Sequence, residues 1–235
     1  MVKQPIIILF PDAKGLSLNH PTASQVFGFV RDAIIRMELL PGQMISEVSI
    51  AKQFSVNRTP AREAIIKLIN IGFVEVLSQR GTYVTKFSMD KILQARFIRE
   101  AIEVPVASYL AENVTDDIIV ESEKIIMEQK NAAEDNDAFA FHKLDDKFHQ
   151  TLANSTKYLR VADVIEAEKA HMDRVRYLSL QKQDQFKHIL EQHIAIIKAI
   201  KSGIPEQAAK AMSLHLKDVY NLLNVIPQEH PEYFA

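Results

Sequence analysis

Residues 45–84 read ISEVSIAKQFSVNRTPAREAIIKLINIGFVEVLSQRGTYV. Ser46 has the side chain of a helix N-cap, and Ile50, Ala51 and Phe54 follow at the spacing of one apolar helical face. The pattern breaks at Ser55-Val56-Asn57. A second helix is expected from Asn57 as its cap, with Pro60 in the first turn, where a missing N–H costs nothing. Its apolar positions Ala61, Ala64, Ile65, Leu68 and Ile71 fall three or four apart, and Gly72 is a C-terminal stop. Phe73–Leu77 and Thr82–Thr85 are rich in β-formers. Ser78-Gln79-Arg80-Gly81 joins them, with Gly81 at positive φ and Arg80 at the tip. The order is two short helices across a tight turn, then a two-stranded wing.

The polar side of the second helix carries Asn57, Arg58, Thr59, Arg62 and Glu63. Two arginines one turn apart at an exposed helix start can reach phosphates or the O6/N7 edge of guanine. The plainer alternatives are a winged helix used for protein contacts, or a helical hairpin with solvated charges. Charge is distributed in favour of the first reading. Residues 1–88 hold 10 Lys+Arg against 6 Asp+Glu, a formal +4, and residues 89–235 hold 18 against 24, a formal −6. A basic reader joined to an acidic partner confines phosphate attraction to one end of the chain.

The stretch from Val26 to Lys86 resembles the winged helix-turn-helix of GntR-type bacterial transcription regulators. The resemblance is carried by the Leu40-Pro41-Gly42 turn, the segment from Asn57 to Ala64 (NRTPAREA), and Gln79–Val84 of the wing. It implies double-stranded DNA as the partner, with Asn57, Arg58, Thr59 and Arg62 at the groove and Arg80 and Gly81 at the wing tip. One position departs from the pattern: Val48, just after the Ser46 cap, stands where many relatives carry an arginine. A single recognition helix reads only a few base pairs, so a homodimer on a near-palindromic operator is expected.

A chain of 235 residues with 47 % hydrophobic content suits two compact domains. The expected division is an N-terminal extension over 1–20, the winged helix over 21–88, a helical domain over 89–226 and a frayed tail over 227–235. The absence of cysteine excludes disulfides, thiolate metal sites and cysteine nucleophiles. No apolar run is long enough to span a bilayer, and Pro5–Pro11 is too short and proline-bounded for a secretion signal. A small strand, a packed arm or a disordered tail remain open for it. The expectation is a cytoplasmic protein without a membrane partner.

Beyond Ser88 the texture changes, with one glycine, Gly203, in the whole remainder. Apolar residues recur at helical spacing over 89–113, 116–134, 137–154, 157–179, 184–202 and 205–225. The predicted fold is therefore mainly α: a winged helix-turn-helix followed by an all-α antiparallel bundle of about six helices, whose interior is a common place for a pocket or a metal.

Asp145 and His149 lie four apart on one helix face, while His193 and His215 fall in two further apolar-periodic helices. One carboxylate and three imidazoles from three helices can converge on a divalent transition metal. Spacing alone leaves other assignments open, since Asp146 adjoins Asp145 and the chain also holds His142, His171 and His188. Asp145-Asp146-Lys147-Phe148-His149 resembles the Asp-x-x-Phe-His motif of the FCD effector domain found in many GntR regulators. His193 and His215 match that domain's other two ligand positions. The resemblance implies zinc or nickel on Asp145, His149, His193 and His215, beside a pocket for a small organic acid. It also argues against a fatty-acyl effector, because the acyl-binding branch lacks this quartet. By the same comparison Arg99 is a pocket arginine, able to hold a carboxylate bidentately. Its other reading is a helix partner of Glu103. Arg174 and Arg176 are weaker candidates, being two apart and on different faces. Three functions follow for weighing: an effector-released repressor, a metalloenzyme that activates water with the quartet, and a regulator whose metal is structural or is itself the signal.

Overall fold

The computed structural model describes residues 22–168, 172–182 and 184–235; the expected extension over 1–20 and His171 lie outside them. Packing divides the chain into two units, one running up to Ser88 and including His230–Ala235, the other Met89–Glu229.

In the first unit, helix α1 (Ala23–Ile35) opens with a capping box. The Thr22 side chain accepts from the Gln25 amide, and Gln25 Oε1 accepts from the Thr22 amide at 2.8 Å. The chain then turns through Leu40-Pro41-Gly42, where Gly42 has φ +78 and its amide donates to the Val84 carbonyl at 2.8 Å. That turn delivers a short strand, β1 (Met44–Ile45), which the sequence pattern does not mark because two residues show no alternation. Ser46 caps α2 (Glu47–Gln53) by accepting from the Ser49 amide at 3.0 Å. α3 (Arg58–Asn70) buries Ala61, Ala64, Ile65 and Leu68 against α1 and α2. It ends as expected, since Gly72 has φ +79 and the Phe73 amide donates back to the Leu68 carbonyl at 3.0 Å. β2 (Val74–Leu77) and β3 (Gly81–Val84) form the wing, and β3 is central in the order β1-β3-β2.

The second unit begins with α4 (Met89–Glu112), followed by α5 (Asp116–Glu134) and α6 (Ala138–Asn154). α7 (Val161–Ala167) and α8 (Asp173–Ser179) are short, and α9 (Gln185–Lys201) and α10 (Pro205–Lys217) complete the bundle. α4 packs on α10 and α9, and α5 on α6 and α9. Their shared core includes Leu110, Ile125, Phe148, Leu152, Ile196, Ile200 and Met212.

The fold class is the predicted one, with three departures in detail. The expected helix over 157–179 is two helices, α7 and α8, and the one over 205–225 divides at Asp218 into α10 and α11 (Val219–Leu223). Neither stretch has an internal glycine or a proline beyond its first residue to mark a break in the sequence. The third departure is the tail, which is ordered rather than frayed. α12 (Ile226–Glu229) and a 3₁₀ turn (Pro231–Tyr233) lead to a parallel bridge between Phe234 and Phe87. Both prolines fall in first turns, where no N–H is required, and the rings of Tyr233 and Phe234 meet Phe87 edge-on.

Candidate nucleic-acid interface and metal centre

Every residue singled out for DNA contact is exposed: Asn57, Arg58, Thr59 and Arg62 at the start of α3, and Arg80 and Gly81 at the wing. Asn57 has the backbone geometry of an N-cap but its side chain makes no capping bond, so its amide stays on the surface. Arg62 is paired at 3.8 Å with Glu47, the first residue of α2, a partner that sequence reasoning did not name. Beside Glu47, Val48 is half exposed and offers only an apolar surface. The wing tip is set by two residues at positive φ, Gln79 (+59) and Gly81 (+120). The Tyr83 hydroxyl donates to the Arg80 carbonyl at 3.0 Å, which holds the turn and leaves the Arg80 guanidinium outward.

In the bundle, Asp145 and His149 of α6, His193 of α9 and His215 of α10 offer ligand atoms that all lie within 4.8 Å of one another. Asp145, His149 and His193 are buried, and His215 is half-buried at the edge of a cavity. Asp145, not Asp146, points into the group: its Oδ1 is 3.3 Å from His193 Nε2. Asp146 turns to Arg176 and His142 instead.

Each imidazole is oriented from behind. His193 Nδ1 is 2.8 Å from Gln129 Oε1, His215 Nδ1 is 2.8 Å from Gln192 Oε1, and His149 Nδ1 is 2.5 Å from Glu103 Oε2. These oxygens can only accept, so each Nδ1 carries the proton and each Nε2 presents a lone pair. The Gln192 amide orientation is fixed independently, because its nitrogen donates to Asp218. With the rings neutral, His149 Nε2 and His215 Nε2 then face each other at 3.1 Å, lone pair to lone pair. His193 Nε2 faces a carboxylate oxygen and has no hydrogen-bond partner.

Four acceptors without a donor repel unless a cation sits among them. Burial, then the neighbouring His149 and Arg176, pushes the His193 imidazole well below its ordinary range. Burial, then His193 and His149, does the same to His215. Neither of these two rings therefore supplies the cation by protonation. A tetrahedral ion with arms of ~2.0–2.1 Å has ligand–ligand edges of about 3.3 Å, and two edges here are 3.1 and 3.3 Å. The residues present fit a divalent metal.

Arg99 is the helix partner of Glu103 and also borders the cavity. Its Nε donates to Glu103 Oε1 at 2.6 Å with both groups buried, and it also lines the cavity. Burial works against the guanidinium, but Glu103 outweighs it and holds the group above its ordinary value. Burial likewise pushes the Glu103 carboxyl up, while Arg99 and then His149 hold it well below the usual carboxylate range. Arg176, one of the weaker candidates, is the second cavity guanidinium. It pairs with Asp145 and lies 3.2 Å from Asp146 and 3.6 Å from Asp173. His142, Asp146 and Asp173 form a further cluster that could suit a cation, and Arg176 already provides one there. The cavity is small, about 60 Å³, and Met172, Leu180 and Val219 line its apolar side.

Sequence reasoning missed Gln129, Gln192 and the part Glu103 plays behind His149. The available signal was phase: Gln129 lies on the buried stripe Ile118, Ser122, Ile125, Ala132 of α5, and Glu103 on that of α4. A polar residue in an apolar stripe marks a buried partner.

Residues 22–84 match the family described as bacterial regulatory proteins, gntR family, and residues 94–218 match the FCD domain. The HTH-type transcriptional repressor RspR of Escherichia coli (strain K12) is 34 % identical over 220 residues, covering 94 % of this chain and 96 % of that one. The gluconate operon transcriptional repressor of Bacillus licheniformis is 28 % identical over 217 residues, covering 90 % and 88 %. Among solved structures, a GntR regulator from Rhodococcus sp. RHA1 superposes with a TM-score of 0.75 at 22 % identity, covering 86 % of this chain and 98 % of that one. E. coli McbR/YncC superposes with a TM-score of 0.74 at 16 % identity, covering 86 % and 97 %, and these two likenesses establish fold alone.

Proposed function

The chain belongs to the gntR family of bacterial regulatory proteins and carries an FCD domain, and on that premise we propose a repressor released from its operator when a small carboxylate binds beside a divalent metal in the bundle. It is a DNA-binding transcription regulator and not an enzyme. Repression is supported by the relatives, two of which are named repressors.

On the DNA side, α3 enters the major groove, with Arg58, Thr59 and Arg62 at base edges or phosphates and Asn57 beside them. Arg80 and Gly81 of the wing approach the minor groove. Two copies read two half-sites. A homodimer is supported by large apolar side chains left in water on the second unit, Leu159 at 88 % and Phe97 at 68 % exposure, which a second copy would cover.

The observation that carries the bundle reading is the convergence of three Nε2 lone pairs and Asp145 Oδ1 without a donor. Zinc or nickel bound there supplies positive charge for an effector carboxylate. Around it, the chain's own groups orient and select. Gln129, Gln192 and Glu103 aim the imidazoles, Arg176 holds the second oxygen of Asp145, and Arg99 keeps its terminal nitrogens for the effector after giving Nε to Glu103. A cavity of about 60 Å³ favours an acid of a few carbons over a long acyl chain.

Four protein ligands also suit a closed, structural site, and that observation favours a second reading in which the metal is structural or is itself the signal. One experiment tests both: operator binding titrated with small hydroxy and sugar acids at saturating zinc. Release by an acid supports the first reading. Release by no acid, with operator affinity following zinc alone, supports the second.

A further inference from the structure

The final stretch of the chain begins at a quartet residue and ends against the segment that follows the wing. His215 Nδ1 is held by Gln192 Oε1 at 2.8 Å, and the Gln192 amide nitrogen donates to Asp218. Asp218 is the residue at which α10 ends and α11 begins, and its own amide donates to the His215 carbonyl at 3.2 Å. His188 Nε2 lies 2.5 Å from the same carboxylate. Asp218 is thus tied to His215 twice, through the backbone and through Gln192. Beyond it, Val219 and Leu222 line the cavity, Ile226 is buried, and α11 and α12 both pack on α8. Lys182 pairs with Glu229 at 2.9 Å.

At the far end the contacts are equally defined. The Phe87 amide donates to the Tyr233 carbonyl at 2.9 Å, and the Ala235 amide donates to the Phe87 carbonyl at 2.9 Å. Lys86 Nζ donates to the Phe234 carbonyl at 3.2 Å. Phe87 is fully buried, with Phe234 and Tyr233 edge-on at 5.1 and 6.2 Å. Both backbone polar groups of Phe87 are therefore occupied by the tail, immediately before Ser88–Met89, where the chain passes into the bundle.

We propose that Asp218–Ala235 is the connection through which loading of the quartet reaches the DNA-reading unit, with Gln192 and Asp218 as positioning residues at its start. The proposal rests on the reading of the quartet as a metal centre. The quartet's atoms lie within 4.8 Å of one another, and an ion held there would bond directly to the His215 ring. Loading fixes that ring, and His215 is the ligand whose backing leads out of the site. From it, the path as far as Glu229 is short helical turns packed on α8, which transmit a displacement that a slack loop would absorb. Its end grips the residue beside the joint.

The test is amide hydrogen exchange at Phe87 and Ala235 in the full-length protein, zinc-loaded against chelator-treated. Zinc content is measured on the same samples, with His149→Ala as the control that loses the metal. In the wild type, zinc is expected to slow exchange at both amides by roughly tenfold. Asp218→Ala should still hold one zinc per chain and lose that change. If wild type binds zinc at the quartet and the two amides exchange as before, the connection is refuted while the metal centre stands. If Asp218→Ala keeps the full change, the path does not run through Asp218. If wild type binds no zinc, the metal-centre reading fails, and the proposal with it. The wild-type comparison needs no variant, so misfolding of Asp218→Ala cannot shelter the idea.

Discussion

At the two candidate surfaces, single side chains carry different kinds of energy. Arg62 is mostly solvated, and its pairing with Glu47 at 3.8 Å is an exposed contact that contributes little to folding. Arg62→Ala should therefore leave thermal stability unchanged, yet weaken operator binding by roughly 1–3 kcal/mol if it reads a base. Unchanged operator affinity in a folded Arg62→Ala protein would remove it from the interface. Glu103 is the opposite case. It neutralises buried Arg99 and backs His149 from within the bundle, so Glu103→Ala strands a buried guanidinium. Breaking a buried pair in this way costs about 3–5 kcal/mol, to be read by denaturant unfolding of the metal-free protein. A loss below about 1 kcal/mol would show that Arg99 finds water or another partner.

Among the elements, the wing depends on backbone conformation more than on packing. A Cβ built at Gly81 meets Met44 Sδ at an ordinary 3.6 Å, but its φ of +120 is one that L side chains rarely adopt. Gly81→Ala should distort the β2–β3 turn and lower operator affinity while the bundle melts as in wild type; equal affinity would show that the tip is not read. This part of the fold was legible in the sequence because local rules act in series there: a cap, a proline in a first turn, a glycine stop, a wing glycine. The bundle was legible only in outline. Its helix phases are written in the apolar spacing, and the Asp145/His149 pair sits one turn apart on α6. Three facts are set by tertiary neighbours: the break at Asp218, the choice of Asp145 over Asp146, and the backing of the imidazoles by Gln129 and Gln192. Residue spacing along one helix does not encode which residue of another helix stands opposite. The tail was misread for the same reason, since prolines near a terminus look like fraying until Phe87 is known to face them.

For the molecule as a whole, proton and ligand linkage should distinguish the bundle from the reader. His193 and His215 are held well below 6.5 by burial first and by neighbouring imidazoles and, for His193, Arg176 next. A depressed folded pKa means that the unfolded chain binds more protons once pH drops below about 6.5. Metal-free protein should therefore lose stability as pH falls from about 6.5, whereas the folded site keeps His193 and His215 neutral and should retain zinc through that same value. Melting temperature and zinc content followed together from pH 7.5 to 5 check this, and zinc lost in step with an ordinary histidine near 6.5 would contradict it. Release from DNA requires more than binding, because an acid equally well tolerated by both arrangements of the protein shifts neither. A tenfold fall in operator affinity corresponds to about 1.4 kcal/mol of preference, within reach of a single charge-assisted pair between Arg99 and a carboxylate. The informative variant is Arg99→Lys, which keeps a charge beside Glu103 and removes the planar fork. With zinc saturating, a true inducer should release wild type at least tenfold and leave Arg99→Lys largely bound, with zinc content equal in both. If Arg99→Lys is released as readily as wild type, the effector does not use the Arg99 fork, and its role contracts to partnering Glu103.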